Sequence, residues 1–510
     1  MLSKTISAYA KGIEAVPIFI ETDVSSGLPS YNVVGQADHS IKESKERIRL
    51  AVVHAGYEYP RGRITINLSP AILRKSGSHF DLAIAMGILT ASGQLFCPEL
   101  ERFCFLGELS LDGSINRIPG ILPMVMAAQK IGITSIVVPK SNEEEAMLLP
   151  GVKIYGVSHL VELVQHFNGS LPLSPKEGGS LSYDIPNIVT KKDFADVHGQ
   201  ESAKRAIMTA VAGGHGILMM GSPSTGKTML AERISTIMPE LTPEEIMETT
   251  MIYSIAGLLT DEEPVILQRP FRHPHQKLTI AGLLGGGAFP KPGEITLADK
   301  GVLFLDEMGE FDYKVMEALR IPLEKKQITL LRNSGQYVFP ADFLLVGASN
   351  PCPCGYLGDP GQLCKCSATE ILRYQRKFSG PIMDRIDMHI HLMPVSYTEL
   401  KNSNSMSSAE MKKMITRARQ IQQQRYERET FQLNGQLDEH NLDIYAKADE
   451  GGEALLEMAY TKMNLNPRTI LKVRKLARTI ADLEESIQIQ EEHVAEALLY
   501  RERIYGRQSK

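Results

Sequence analysis

The octapeptide Gly221-Ser222-Pro223-Ser224-Thr225-Gly226-Lys227-Thr228 restricts the fold of this chain more than any other segment. It follows a short apolar run, Gly216-Ile217-Leu218-Met219-Met220, that reads as a buried strand, and precedes Met229-Leu230-Ala231-Glu232-Arg233-Ile234, which reads as a helix. A glycine-rich turn between strand and helix points successive backbone N–H groups at phosphates and adds the positive end of the helix. Lys227 is expected to reach the outer phosphates and the Thr228 hydroxyl to ligate Mg²⁺, so Gly221 to Thr228 form a cradle for ATP.

A second apolar run, Gly301-Val302-Leu303-Phe304-Leu305, has the continuous character of a parallel strand buried on both faces. It delivers Asp306 and Glu307 at its carboxyl end, where open α/β sheets bind ligands. Asp306 is expected to share Mg²⁺ with Thr228, and Glu307 to polarise the attacking water. A third run, Phe343 to Ser349, ends in Asn350, which either contacts the γ-phosphate or caps a turn before Pro351.

Length and composition supply the frame. The 510 residues suggest about three domains, and 43% hydrophobic residues suffice for several cores. No apolar stretch reaches membrane-spanning length, and Met1 to Ala8 lacks a signal-peptide core, so a cytoplasmic chain with no membrane partner is expected. In that compartment its six cysteines are thiols or metal ligands. The net charge of −5 gives no overall basic signature, so any nucleic-acid contact must come from local patches.

Two shifts in composition divide the chain. Gly169 to Pro186 is rich in Gly, Ser and Pro and reads as a linker (169–187), and polar Lys401 to Ser408 reads as a connection. Residues 1–168 form a mixed α+β domain, with strands expected at Val16 to Val24, Arg63 to Leu68 and Ile136 to Pro139, and helices at Ile41 to Ala55, Leu82 to Ala91 and Gly120 to Ile131. Residues 188–395 alternate apolar runs with helical segments, as an α/β doubly wound parallel sheet does. Residues 408–510 contain no convincing strand and read as a helical lid.

Cys352-Pro353-Cys354 and Cys364-Lys365-Cys366 place four soft ligands on one short loop, a set suited to tetrahedral structural Zn²⁺ though tighter in spacing than most zinc motifs; unligated thiols are the alternative. With no spare ligand, catalytic zinc is not expected.

The set Gly199-Gln200, the Gly221–Thr228 loop, Asp306-Glu307, Asn350, Arg385 in Gly380-Pro381-Ile382-Met383-Asp384-Arg385-Ile386-Asp387 and Arg468 in Asn466-Pro467-Arg468 resembles the AAA+ ATPases. The resemblance implies a subunit ring in which Asn350 is sensor 1, Arg468 is sensor 2 and Arg385 is the finger reaching a neighbour's γ-phosphate, with Arg373 and Arg376 competing for the finger role. Arg269-Pro270-Phe271-Arg272, Gly285-Gly286-Gly287 and Lys291-Pro292-Gly293-Glu294-Ile295-Thr296-Leu297-Ala298 narrow it to magnesium-chelatase-like proteins of the ComM/YifB type, over essentially the whole chain. That family implies a homo-hexameric, ATP-driven DNA motor promoting branch migration in homologous recombination, notably of incoming strands in natural transformation, with recombination proteins as possible partners. Two insertions would line its channel, carrying Arg272, His273, His275, Lys277 and Lys291 in the first and Arg332, in a hairpin turning at Asn333-Ser334-Gly335, in the second; cations there would track a phosphate backbone without reading bases. Solvated loops with incidental charge are the alternative. His273-Pro274-His275-Gln276 departs from the family's usual Ala-Pro-His-His.

Residues 1–168 resemble the Lon-protease fold (ribosomal S5 domain 2-like), including Gly107-Glu108-Leu109-Ser110-Leu111-Asp112-Gly113. By motif position His79 stands where the serine nucleophile should be and Pro123 where its lysine should be, so proteolysis is not expected. Two rival functions remain: a chelatase-type motor subunit acting on a protein partner, and an ATP-dependent protease regulator.

Overall fold

The computed structural model describes residues 2–179, 192–332, 335–378, 380–397, 399, 405–463 and 465–501. Most of the second half of the expected linker, the Asn333-Ser334 turn, Lys401 to Asn404 and the last nine positions of the expected lid lie outside the described residues.

The N-terminal domain is built on a hairpin of β1 (Leu2–Lys11) and β2 (Glu14–Ser25), paired antiparallel along its length from Leu2↔Asp23 to Lys11↔Glu14. Its two-residue turn places Gly12 at φ +66, a conformation that costs a residue without Cβ little. Around it lie β3 (Ser30–Val34), β4 (Arg63–Ser69) and β5 (Phe103–Phe105), the small ribbon β6 (Glu108–Leu109) with β7 (Ile115–Asn116), then β8 (Ser135–Pro139), β9 (Lys153–Val157) and β10 (Lys176–Glu177). The sheet runs β10-β9-β8-β5-β1-β2-β4-β3. Helices cover both faces, because alternate residues serve different cores: Val137 packs with the helices His39–His54 and Asp81–Ala91, whereas Ile136 and Val138 pack with Ile121–Lys130. Strand β10 falls within the expected linker: its backbone completes the open edge of β9, a pairing that composition does not reveal.

The central domain contains β11 (Ile217–Gly221), β12 (Phe271–Arg272), the ribbon β13 (Gly285–Gly286) with β14 (Lys291–Pro292), β15 (Val302–Leu305), the hairpin β16 (Gln327–Arg332) with β17 (Gly335–Pro340), β18 (Leu344–Ser349) and β19 (Met388–Leu392). Its five-stranded sheet, β12-β15-β18-β11-β19, is parallel throughout. Ile217, Met219, Phe304 and Val346 feed the core on one face, and Leu218, Met220, Leu303 and Leu345 the core on the other. This is why these strands read as unbroken apolar runs.

The described C-terminal residues form helices Ser408–Arg425, Glu439–Tyr445, Glu450–Lys462, Pro467–Leu483 and Glu491–Leu499. They dock at the amino-terminal edge of the parallel sheet. Lys472 pairs with Asp387 at 2.8 Å, just before β19, and Thr479 Oγ1 lies 2.8 Å from Nε2 of His215, just before β11. Burial raises the pKa of Asp387, and Lys472 and His215 more than reverse this, so its carboxyl is held well below the usual range.

The N-terminal and central domains meet at the helix Pro243–Ala256. Ser254 Oγ accepts from Gly120 N at 2.8 Å and donates to Glu145 Oε1 at 2.5 Å, and the buried Glu145 also accepts from Leu122 N at 3.0 Å. Met247 and Met251 of this helix pack against the N-terminal core. At a second contact the Lys11 ammonium lies 5.5 Å from the Tyr337 ring centroid, and Ile13 packs on the cluster holding Tyr337 and Phe339. Replacing Ser254 by Ala leaves a buried carboxylate short of a donor, and urea unfolding should show a loss of about 1–3 kcal/mol. Ser26 is exposed, and a Ser26→Ala control should stay within about 0.5 kcal/mol.

Candidate nucleotide and nucleic-acid site

Strand β11 ends at Gly221, where a Cβ would sit 2.7 Å from Leu392 O and 2.9 Å from Thr225 Oγ1, so only glycine passes. Ser224 (φ +64) and Gly226 (φ +88) then bend the backbone into a concave loop that opens the helix Lys227–Ile237. Gln200 steadies this loop from behind, donating to Met393 O at 2.7 Å and to Thr225 O at 3.3 Å. Ser222, Pro223 and Thr225 lie in the same turn, and the Thr225 hydroxyl donates to Ser222 O at 2.9 Å.

Lys227 Nζ donates to Gly221 O (2.7 Å) and Ser222 O (2.8 Å) and lies 3.3 Å from Asn350 Oδ1. Burial lowers its pKa, opposed by Asp306 and Glu307. The Thr228 hydroxyl donates to Asp306 Oδ2 at 2.9 Å. The structure therefore gathers Lys227, Thr228, Asp306, Glu307 and Asn350, drawn from three strand ends, around one loop. An ammonium, a hydroxyl paired with a carboxylate and a helix N-terminus are the donor set that a triphosphate with Mg²⁺ requires, and Thr228 with Asp306 would hold the metal.

Glu307 sits at φ +49, and its carboxylate accepts from Gln276 Nε2 at 2.5 Å. Nothing in the local sequence points to this partner. Gln276 lies four residues beyond β12, which neighbours β15 in the sheet, so their adjacency depends on strand order.

Arg385 and Arg468 are not part of this cluster. They line a cavity of about 840 Å³ with Gly214, Gly216, Lys472 and Lys475, at the opposite edge of the sheet. Residues Ile217 to Gly221 pair with Met388 to Leu392, which separates the two edges by roughly 13 Å, four steps of about 3.3 Å. Arg385 pairs with Glu324 and donates to Pro381 O at 2.7 Å. Arg373, in the helix Ala368–Gln375, and Arg376, just past its end, are exposed; Tyr374 of that helix places its hydroxyl 3.2 Å from Ser349 Oγ, at the carboxyl edge.

Of the expected nucleic-acid contacts, Arg272 is committed elsewhere. Its guanidinium meets Glu294 at 2.7 and 2.8 Å, and that pairing raises its pKa. His273 packs its ring 4.8 Å from Phe304. His275, Lys277, Lys291 and Arg332 are exposed. Arg332 Nε donates to Gly287 O at 3.2 Å, so the β16–β17 hairpin and the insertion carrying Lys277 and Lys291 form one surface.

The four cysteines converge. Cys352 Sγ lies 3.4 Å from Cys354 Sγ and 3.7 Å from Cys364 Sγ, and Cys354 Sγ lies 3.6 Å from Cys364 Sγ, while Cys366 Sγ accepts from Cys354 N at 3.4 Å. Sulfurs about 2.3 Å from a central Zn²⁺ in a tetrahedron stand about 3.8 Å apart, so the donor set fits that ion. In the N-terminal domain His79 is half-buried; loss of solvent around its ring lowers its pKa to about 4, and the ring centroid lies 4.0 Å from that of Phe80. Pro123 is buried in the helix Ile121–Lys130. The pair offers no serine–lysine dyad.

Comparison with known proteins extends the picture over the whole chain. The family described as magnesium chelatase, subunit ChlI, matches residues 193–400, and related descriptions of that subunit and of its C-terminal part match residues 20–142 and 405–501. The chain is 38% identical over 508 residues to competence protein ComM of Haemophilus influenzae, covering 98% of this chain and 97% of that protein. It is 38% identical over 495 residues to the uncharacterized protein YifB of Escherichia coli, covering 96% and 95%. A shorter similarity, 28% over 195 residues, relates it to Lon protease 2 of Bacillus subtilis, covering 34% and 35%.

Two substitutions separate binding from chemistry. Lys227→Ala should weaken binding of a fluorescent ATP analogue at least about tenfold, and Glu307→Gln should bind it normally while turnover falls about 100-fold or more.

Proposed function

The chain belongs to the magnesium-chelatase-like AAA+ family of the ComM/YifB type, and from that premise we propose a cytoplasmic, hexameric ATPase that drives branch migration of DNA during recombination of incoming strands. The observation that carries this reading is the separation of the expected site residues. Lys227, Asn350 and Glu307 stand at one edge of the sheet, and Arg385 with Arg468 at the other. A complete site then needs the Arg385 edge of an adjoining copy against the phosphate loop, which a closed ring supplies at every interface.

In the proposed cycle, ATP supplies the phosphoryl group and Lys227 with the loop N–H groups hold its phosphates. Glu307 takes up the proton of the attacking water, which Asn350 orients. Arg385 and Arg468 of the adjoining copy neutralise charge on the transferred group. The fused surface of Lys277, Lys291, His275 and Arg332 grips the nucleic-acid backbone through charge, so binding tolerates any sequence and weakens with salt. The four-cysteine loop carries one structural Zn²⁺, which metal analysis should find at about one per chain.

Forked, single-stranded and four-way DNA should each be tested for stimulation of ATP turnover, and failure of all three would sink the DNA reading in favour of a protein partner. Replacing Lys277 and Lys291 together by Ala should reduce the slope of log K against log salt by about 0.7 for each single-strand phosphate that is no longer neutralised. Arg385→Ala and Glu307→Gln proteins should each be inactive alone, but mixing them should restore turnover at up to roughly a quarter of the interfaces of a random ring. No recovery on mixing would place Arg385 outside the neighbour's site.

A further inference from the structure

The cysteine loop rests on the phosphate loop. Gly355, at φ +87, approaches Pro223 so closely that an added Cβ would lie 2.7 Å from Pro223 Cδ and 2.8 Å from Cγ. Asp359 and Ser222 line one cavity, and the Ser222 side chain helps to hold the Asp359 carboxyl below the usual carboxylate range. Asp359 Oδ1 also accepts from Gly361 N at 2.8 Å and Gln362 N at 2.9 Å, which ties it to the stretch of chain running into Cys364. The loop has little apolar material of its own to hold this shape: Leu357 is 37% exposed and Leu363 91% exposed. Beneath it, a cavity of about 580 Å³ opens between Ser222, Leu357, Leu372 and His391. A loop that spans a cavity and buries so little depends on cross-links for its conformation, and the converging sulfurs of Cys352, Cys354, Cys364 and Cys366 are placed to provide one.

We propose that a metal ion held by these four cysteines sets the shape of the phosphate loop, with Gly355 and Asp359 as the positioning residues that carry its effect to Pro223 and Ser222, so that nucleotide affinity depends on metal occupancy. This rests on the zinc reading above. Metal bound through four sulfurs makes the loop a rigid wall against Pro223. Without it the wall relaxes and Asp359 draws away from Ser222.

The test uses the full-length protein, with zinc content measured by mass spectrometry and affinity measured with a fluorescent ATP analogue in the presence of Mg²⁺. Stripping with a zinc-selective chelator should weaken nucleotide binding roughly five- to tenfold, and added Zn²⁺ should restore it. Asp359→Ala and Gly355→Ala should retain zinc and still bind nucleotide several-fold more weakly. Stripped protein that binds as tightly as loaded protein, or both variants binding normally, overturns the coupling while leaving the zinc reading intact. Protein that contains no zinc and takes up none overturns both, and the metal content alone tells the two failures apart.

Discussion

Everything in the ATPase domain hangs on β11 being hydrogen-bonded in parallel to β18 on one side and β19 on the other. That pairing sets Gly221 level with Leu392 and brings Asn350 to Lys227. Parallel strands buried on both faces leave their carboxyl ends as the one edge where backbone groups and polar side chains can face a ligand together. Lys227 illustrates the tension this creates. Burial disfavours its charge, and the carbonyls of Gly221 and Ser222 and the nearby acids Asp306 and Glu307 favour it.

The same register divides labour between two edges of one sheet. The helical C-terminal region is anchored by Lys472 on Asp387 and by His215 on Thr479 at the amino edge, which carries Arg468 away from the nucleotide loop of its own chain. The N-terminal domain grips a different part, the helix Pro243–Ala256 and the β16–β17 hairpin, through Glu145 and Lys11. It therefore braces the hairpin that carries Arg332, rather than standing apart on a tether.

Legibility in the sequence followed the range of the signal. The buried strands Ile217–Gly221, Val302–Leu305 and Leu344–Ser349 declared themselves as unbroken apolar runs, and their polar ends as chemistry, because burial and strand polarity leave a local trace. The first strand, Leu2–Lys11, left a weaker one: Ser3, Thr5 and Ser7 are buried polar residues there, with Ser3 and Thr5 donating to Gly87 O and Ala83 O of a helix far along the chain. Arg272 looked like a free cation because Glu294 is distant in sequence, and Gln276 gave no sign that its amide would face Glu307.

Residue order alone established the phosphate loop, the acidic pair at the end of Val302–Leu305, the thiol cluster and the doubly wound class, since each depends on neighbours within a few positions along the backbone. Spatial folding settled which charges are spent in ion pairs, which edge Arg385 and Arg468 occupy and that the cysteine loop leans on Pro223. Those relations join segments separated by tens to hundreds of residues, and strand order and side-chain packing, not local spacing, bring such segments within hydrogen-bonding reach.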